Sequence, residues 1–274
     1  KYDEAEPYVR EALETSRRVL GDEHPETLTS IRNIGYMLQQ QGKYDEAEPY
    51  VREALETSRR VLGDEHPGTL SSIGSMGSLL MQQDKYDEAE PYIRESLETR
   101  RRVLGDEHPS TQSSINNMGN LLADQGKYDE AEVYYTEALE TSRRILGDEH
   151  QSTLHYINNM GALLQRQGKY DEAEVYYTEA LKGYRRVLGD EHPSTLGSIG
   201  NMGVLLKSQG KYDEAEVYYL DAVEGYRRVL GDEHPYTLKS INALIKLYNA
   251  WGKTEEAQKY RDMLPKEDAL TEDT

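Results

Sequence analysis

Six short loops of this chain end in Asp-Glu-His, setting His24, His66, His108, His150, His192 and His234 each behind two carboxylates. Imidazole and carboxylate together can ligate zinc or nickel. Each loop offers a single imidazole, however, and a zinc site takes three or four protein ligands. Neighbouring loops would stand two helix packings apart, at about 8–10 Å each, too far to share one ion. The pattern therefore favours a turn leading into a helix, and no metal is expected. Carboxylates also crowd the recurring Asp-Glu-Ala-Glu string, but a general acid–base pair needs a unique environment to separate its two pKa values. Every Gly-Lys pair follows a helical pattern rather than a strand, so none forms a phosphate-cradling loop. His155 stands outside the series, alone, as a surface contact rather than a catalyst. No enzyme activity is expected and no cofactor is implied.

The elements that carry these residues are repeated. KYDEAEPYVREALETSRRVLGDEH begins at Lys1 and returns, little changed, at Lys43, Lys85, Lys127, Lys169 and Lys211, with a decayed start at Lys253. A fixed period without insertions is the signature of a solenoid, in which each unit buries its apolar face against its neighbours. The 274 residues are then one array over 1–264 followed by an acidic tail over 265–274. The chain begins in mid-motif, which reads as an excerpt of a longer array whose first helix would be left partly exposed at Ala5, Tyr8, Ala12 and Leu13. Against 51 acidic residues there are 32 basic ones, a net charge of −19. So negative a surface repels phosphate, which argues against nucleic acid and anionic membranes as partners. No apolar run reaches the length of a membrane span. Cysteine is absent, which excludes disulfides and thiolate chemistry; a cytoplasmic location is the default expectation.

Within one unit, Pro25 suits the first position of a helix. Leu28, Ile31, Ile34, Gly35 and Leu38 follow at spacings of three and four, giving one apolar stripe (helix A) that ends at Gly42. Asp45, with Glu48 three residues later, has the form of an N-cap and capping box for a second helix (helix B). Tyr128, Tyr170 and Tyr212 precede Val133, Val175 and Val217 at the spacing of a hydrophobic staple; earlier copies carry Pro7, Pro49 and Pro91 there. Ala47, Tyr50, Val51, Ala54, Leu55, Ser58, Val61 and Leu62 extend helix B over roughly five turns. Gly35, Gly77, Gly119, Gly161 and Gly203 sit inside the helix A stripe at a cost of about 1 kcal/mol each, which predicts the close passage of another helix backbone. The last unit differs: Ile245 replaces the glycine, Trp251 occurs once, and helix B shortens to 254–264 before Pro265.

The string N-x-G-x-L-L-x-x-x-G-K-Y-D-E-A-E-x-Y-x-x-E-A-L resembles the tetratricopeptide repeat. Its ordinary unit has 34 residues, and the longer form here, with L-G-x-x-H-P closing helix B, is similar to the 42-residue repeats of kinesin light chains and of arrays attached to bacterial signalling ATPases. The resemblance implies an all-α fold, a right-handed superhelical solenoid of antiparallel helix pairs. It also implies that helix A lines a concave groove where extended peptides bind, with groove asparagines holding the peptide backbone.

Copy-to-copy differences fall mainly on helix A, at offsets opposite its apolar stripe. One residue after the Ile31 position stand Arg32, Gly74, Asn116, Asn158, Gly200 and Asn242. Two after it stand Asn33, Ser75, Asn117, Asn159, Asn201 and Ala243. Further offsets supply Tyr36, Asn120, His155, Lys207 and Lys246. An asparagine carries both a donor and an acceptor, so a ladder of them can pair with any extended backbone. Arg32, Arg166, Lys207, Lys239 and Lys246 against Asp124 make this face basic, which favours an acidic peptide locally. The expected function is a protein–protein interaction scaffold. A structural spacer that self-associates end to end through its first helix, and the sensor arm of a larger signalling ATPase, are the alternatives. Variation of exposed residues taken alone favours drift, since such substitutions cost little; the placement favours a groove, because exposed positions of helix B do not drift comparably. The graded change along helix B, from Pro-Tyr-Val-Arg to Val-Tyr-Tyr-Thr, reads as block duplication.

Overall fold

Proline at the start and glycine just past the end bracket a helix from both sides, and the chain folds accordingly. A computed structural model describes residues 2–265, and the side chains of residues 5–265. Among the described residues there are thirteen helices and no strand. The A helices are α2 (Pro25–Gln40), α4 (Pro67–Gln82), α6 (Pro109–Asp124), α8 (Gln151–Arg166), α10 (Pro193–Ser208) and α12 (Pro235–Trp251). The B helices are α1 (Tyr2–Leu20), α3 (Tyr44–Leu62), α5 (Tyr86–Leu104), α7 (Tyr128–Leu146), α9 (Tyr170–Leu188), α11 (Tyr212–Leu230) and the short α13 (Thr254–Arg261). The last ends at Arg261 rather than near Pro265, and the acidic tail from residue 266 lies outside the described residues. Two compact units are present, Lys1–Ala138 and Leu139–Thr274.

Local signals explain the helix ends. Each A helix closes in a Schellman turn: Gly42 N donates to Gln39 O at 3.0 Å and Lys43 N to Leu38 O at 2.9 Å, with Gly42 at φ +74°. Asp84 occupies this position in the second turn at φ 58°, the sole non-glycine with positive φ among the described residues. Its carboxylate accepts from the Tyr86 hydroxyl at 2.7 Å. Replacing Asp84 with glycine should raise stability by about 1 kcal/mol, the left-handed penalty of a side chain, read as a shifted midpoint in urea.

Two expectations about helix starts are corrected. Helix B begins at Tyr44 directly from the Schellman turn, so its N-cap is Lys43, without a side-chain cap bond. Asp45 lies inside the first turn, where its charge suits the helix dipole. The valines of the expected staple, Val133, Val175 and Val217, are exposed at 64%, 65% and 66%, so a staple there would bury little apolar surface. Pro7, Pro49 and Pro91 stand at that same position, past the first turn, and each removes one backbone bond.

The cap side chain belongs to helix A, and it is the loop histidine. Nδ1 of His24, His66, His108, His150, His192 and His234 accepts the N–H two residues on, at 3.0–3.2 Å. With Nδ1 accepting, the ring proton belongs on Nε2, and the bond gives the recurring histidine a structural role.

Packing follows from the two stripes. In Leu139–Thr274, Gly161 of α8 meets Tyr177 of α9, and Leu154 near the start of α8 meets Gly183 near the end of α9. The pair is therefore antiparallel; Gly203 with Tyr219 and Leu196 with Gly225 repeat the geometry in α10 and α11. The recurring helix A glycine faces mainly a helix B side chain rather than bare backbone. A Cβ at Gly35 would lie 2.9 Å from Val51 Cγ2, and one at Gly77 would lie 2.6 Å from Ile93 Cγ1. Ile31, Ile34, Leu38, Ile73, Met76 and Leu121 are fully buried, each such burial stabilising by about 1.5–3 kcal/mol.

Charges that look like a solvated face form ladders between successive B helices. Arg17 pairs with Glu53 at 2.6 Å, Arg59 with Glu95 at 2.6 Å and Arg101 with Glu137 at 2.5 Å. In Leu139–Thr274, Arg143 pairs with Glu179 at 2.6 Å and Arg185 with Asp221 at 3.8 Å. A second line joins Lys43 to Glu6 at 3.2 Å and Lys85 to Glu48 at 3.6 Å. Hydrogen bonds from Arg10, Gln41 and Lys43 hold the Glu6 carboxyl down at about 2. Exposed pairs contribute about 0–1 kcal/mol each, and these recur at matching positions of successive repeats.

Candidate binding face of the A helices

Each A helix is covered by its B helix and by its neighbours in the stack, which leaves one strip open. Two residues after the Ile31 position the side chains lie on that strip: Asn33 is exposed, while Ser75, Asn117, Asn159 and Asn201 are half-buried. The amides of Asn33, Asn117 and Asn201 make no hydrogen bond within the protein among the described residues. Asn159 Nδ2 lies 3.2 Å from His155 Nε2. His155 keeps solvent access, yet the protein packed around it lowers its imidazole pKa by desolvation.

Residues one position earlier lie at the edge of the strip rather than along it, deeper than expected. Asn116 is buried at 6% exposure. Asn158 and Asn242 are half-buried, and the Oδ1 of each is buried away from any protein donor. Arg32 shows the reason: its guanidinium donates to Gly68 O of the next A helix at 3.4 Å and to Thr29 Oγ1 at 3.1 Å. In α2 this offset faces the seam with α4, because one residue is a 100° step that turns the side chain from the strip to the neighbour.

Tyrosines of helix B reach the face through the gap left by the helix A glycine, which the duplication reading had passed over. Tyr135 Oη donates to Asn120 Oδ1 at 2.5 Å beside Gly119. Tyr177 Oη donates to Gln165 Oε1 at 3.0 Å, and Gln165 Nε2 donates to Ser208 Oγ at 3.0 Å. Burial raises the phenol pKa of Tyr177 and Tyr219. The detectable signal was the exchange of Val51 and Ile93 for tyrosine opposite an unchanged glycine.

Both units have a pocket on this face. In Lys1–Ala138, about 370 Å³ is enclosed by residues that include Arg32, Tyr36, Ser75, Ser78, Arg100 and Asn117. In Leu139–Thr274, about 240 Å³ is lined by Val204, Lys207, Ser208, Tyr219, Ala243 and Lys246. Desolvation, then the Lys246 charge, lowers the pKa of Lys207. Among the described residues no group of acids and histidines could hold a metal. No helix among them is long and apolar enough to cross a membrane.

A sequence profile described as tetratricopeptide repeat matches residues 1–57, 30–79, 72–143, 110–186, 152–227 and 194–260. The chain belongs to the tetratricopeptide repeat family. The all-α helix-pair architecture agrees with that of solved repeat proteins. BtubC (BKLC) from P. vanneervenii superposes with a TM-score of 0.60 at 22% identity, over 81% of this chain and 88% of that one. A Podosopora anserina putative kinesin light chain with nearly identical TPR-like repeats gives 0.61 at 22%, over 75% and 97%. NprR, solved with its cognate peptide NprX, gives 0.62 at 18%, over 95% and 72%. At these identities the likeness is one of fold. No curated protein matches the sequence.

Proposed function

We propose that this tetratricopeptide repeat chain is a non-catalytic protein–protein interaction scaffold that holds an extended peptide against its A helices. One observation carries the reading: Asn117 and Asn201 lie half-buried on the open strip, and their amides make no hydrogen bond within the protein among the described residues. Each amide offers a donor and an acceptor, and an extended backbone supplies the partner for both. The basic side chains of the strip, Lys207 and Lys246 among them, favour acidic peptides against the charge of the whole chain. The solved complex of NprR with a peptide supports the reading at the level of fold.

Alanine at Asn117, Asn159 and Asn201 together should weaken binding of a random peptide pool at least tenfold, at about 0.5–1.5 kcal/mol per hydrogen bond. The measurement is fluorescence anisotropy, with circular dichroism as the control for folding. Unchanged binding at unchanged helicity would remove the asparagines from the site.

A further inference from the structure

Arg100 breaks the repeat. Ser16, Ser58 and Ser142 stand at its position in other B helices, and Tyr184 and Tyr226 in two more. Ser58 bonds its neighbour helix through its hydroxyl, to Ser72 Oγ at 3.4 Å. Arg100 instead extends a guanidinium between α4 and α6. Its Nη2 donates to Leu70 O at 3.1 Å, and its Nη1 to Ser114 Oγ at 2.6 Å and Ser110 O at 3.3 Å. All three acceptors are neutral. Desolvation is the one cause acting on this group, and it disfavours the charge. A cation taken from water without a counter-ion is costly.

The side chain is not alone. Arg32, whose acceptors Gly68 O and Thr29 Oγ1 are also neutral, lines the same pocket. Both guanidiniums therefore hold carbonyls in the first turns of α4, Gly68 O and Leu70 O, and both border one space. Helix α4 makes that space with small residues throughout: Ser71, Ser75 and Ser78 on the strip and Gly74 at the seam, where the preceding A helix has Thr29, Asn33, Tyr36 and Arg32. A Cβ at Gly74 would already come within 3.9 Å of Arg100 Nη2. No aspartate or glutamate lines the pocket, in a chain with 51 of them. The Ser78 hydroxyl and the Asn117 amide add donors unused by the protein.

We propose that this pocket receives the phosphomonoester of a phosphorylated side chain on the bound peptide. Two guanidiniums without counter-ions match a dianion, whereas one fork suffices for a carboxylate. Phosphate carries close to two charges near neutral pH and several acceptor oxygens, enough to engage both arginines and the hydroxyl and amide donors together. Placing the group on a peptide rests on the groove function proposed above; the anion chemistry of the pocket does not.

Two variants restore residues that other copies carry at these positions and so keep the fold: Arg100→Ser and Arg32→Asn. Three peptide pools differing only in a central phosphoserine, serine or glutamate are titrated into the full chain at low salt. Inorganic phosphate is titrated separately while the arginine Nε–Hε signals are followed by NMR. The phosphoserine pool should bind about tenfold or more tightly than the serine pool, and each variant should remove most of that preference. Phosphate should shift the arginine signals saturably in the parent chain and not in the variants. Equal binding of the phosphoserine and glutamate pools would overturn the phosphate assignment in favour of a carboxylate. Equal binding of the phosphoserine and serine pools would overturn the anion pocket while leaving the groove intact. Failure of every pool, with phosphate still saturable, would sink the groove and keep the anion site. No saturable phosphate shift would overturn the pocket outright.

Discussion

Valine in place of Gly77 is expected to cost about 2–3 kcal/mol of stability, although glycine is the poorer helix former. The reason is distance. A Cβ at Gly77 would lie 2.6 Å from Ile93 Cγ1 and 3.4 Å from Ile93 N. Ile93 is 2% exposed and branched next to its backbone, so its γ carbon has nowhere to turn. Either α4 and α5 separate or both strain, and overpacking a close-packed interface costs more than helix propensity returns. Gly200 supplies the control, since nothing lies within 4 Å of a Cβ there. Gly200→Ala should therefore stabilise by up to about 1 kcal/mol. Urea unfolding followed by far-ultraviolet circular dichroism separates the two signs. Adding Ile93→Ala to Gly77→Val should recover about 1 kcal/mol or more relative to the sum of the single changes, since the two side chains contend for one space. If Gly77→Val stabilises as Gly200→Ala does, the interface is looser than this geometry requires.

The same glycine shows what one sequence could tell. Its recurrence inside an apolar stripe marked a close approach, because a costly residue repeated five times needs a cause. It could not say whether backbone or side chain approached, since that depends on the distance between helices and not on their pattern. Helix spans were legible from Pro25 and Gly42 because proline and glycine act through backbone geometry alone. The helix B cap was misread at Asp45 because a capping box and a first-turn acid look alike in sequence, and the Schellman turn feeding Lys43 into the helix decides between them. Arg17 and Glu53, which pair at 2.6 Å, sit in successive copies, so a reading confined to one unit sees two solvated charges. On the candidate face, the offset of Asn117 was legible from helical periodicity. The neighbouring offset was not: Arg32 and Asn33 are adjacent in sequence, and only the position of the next A helix, whose Gly68 O takes the Arg32 guanidinium, distinguishes seam from strip. Arg100, in place of the serine or tyrosine of other copies, went unread because its meaning depends on the small residues of α4 opposite it.

Glutamate at both Lys207 and Lys246 should weaken an acidic peptide by about a hundredfold at low salt, while leaving a neutral peptide of the same length nearly unaffected. Two reversals replace two attractions with two repulsions, each on the order of 1 kcal/mol near a surface. The difference should shrink as salt rises, since the Debye length falls to about 3 Å at 1 M. Loss of folding cannot imitate this result. Desolvation and the Lys246 charge lower the pKa of Lys207 in the folded chain. A base with a lowered folded pKa destabilises the fold while it is charged, and that penalty is relieved as pH rises from the folded pKa through the ordinary lysine range. Lys207→Gln removes the penalty at neutral pH, so this variant should be at least as stable as the parent while still binding acidic peptides less tightly. Stability and binding then move in opposite directions, as they do when a protein keeps an unfavourable charge in place for a ligand. Equal loss for acidic and neutral peptides would mean that the lysines shape the strip rather than select charge. Undiminished binding of the acidic peptide would take the Lys207 pocket out of the site and leave peptide binding in Leu139–Thr274 to Asn159 and Asn201.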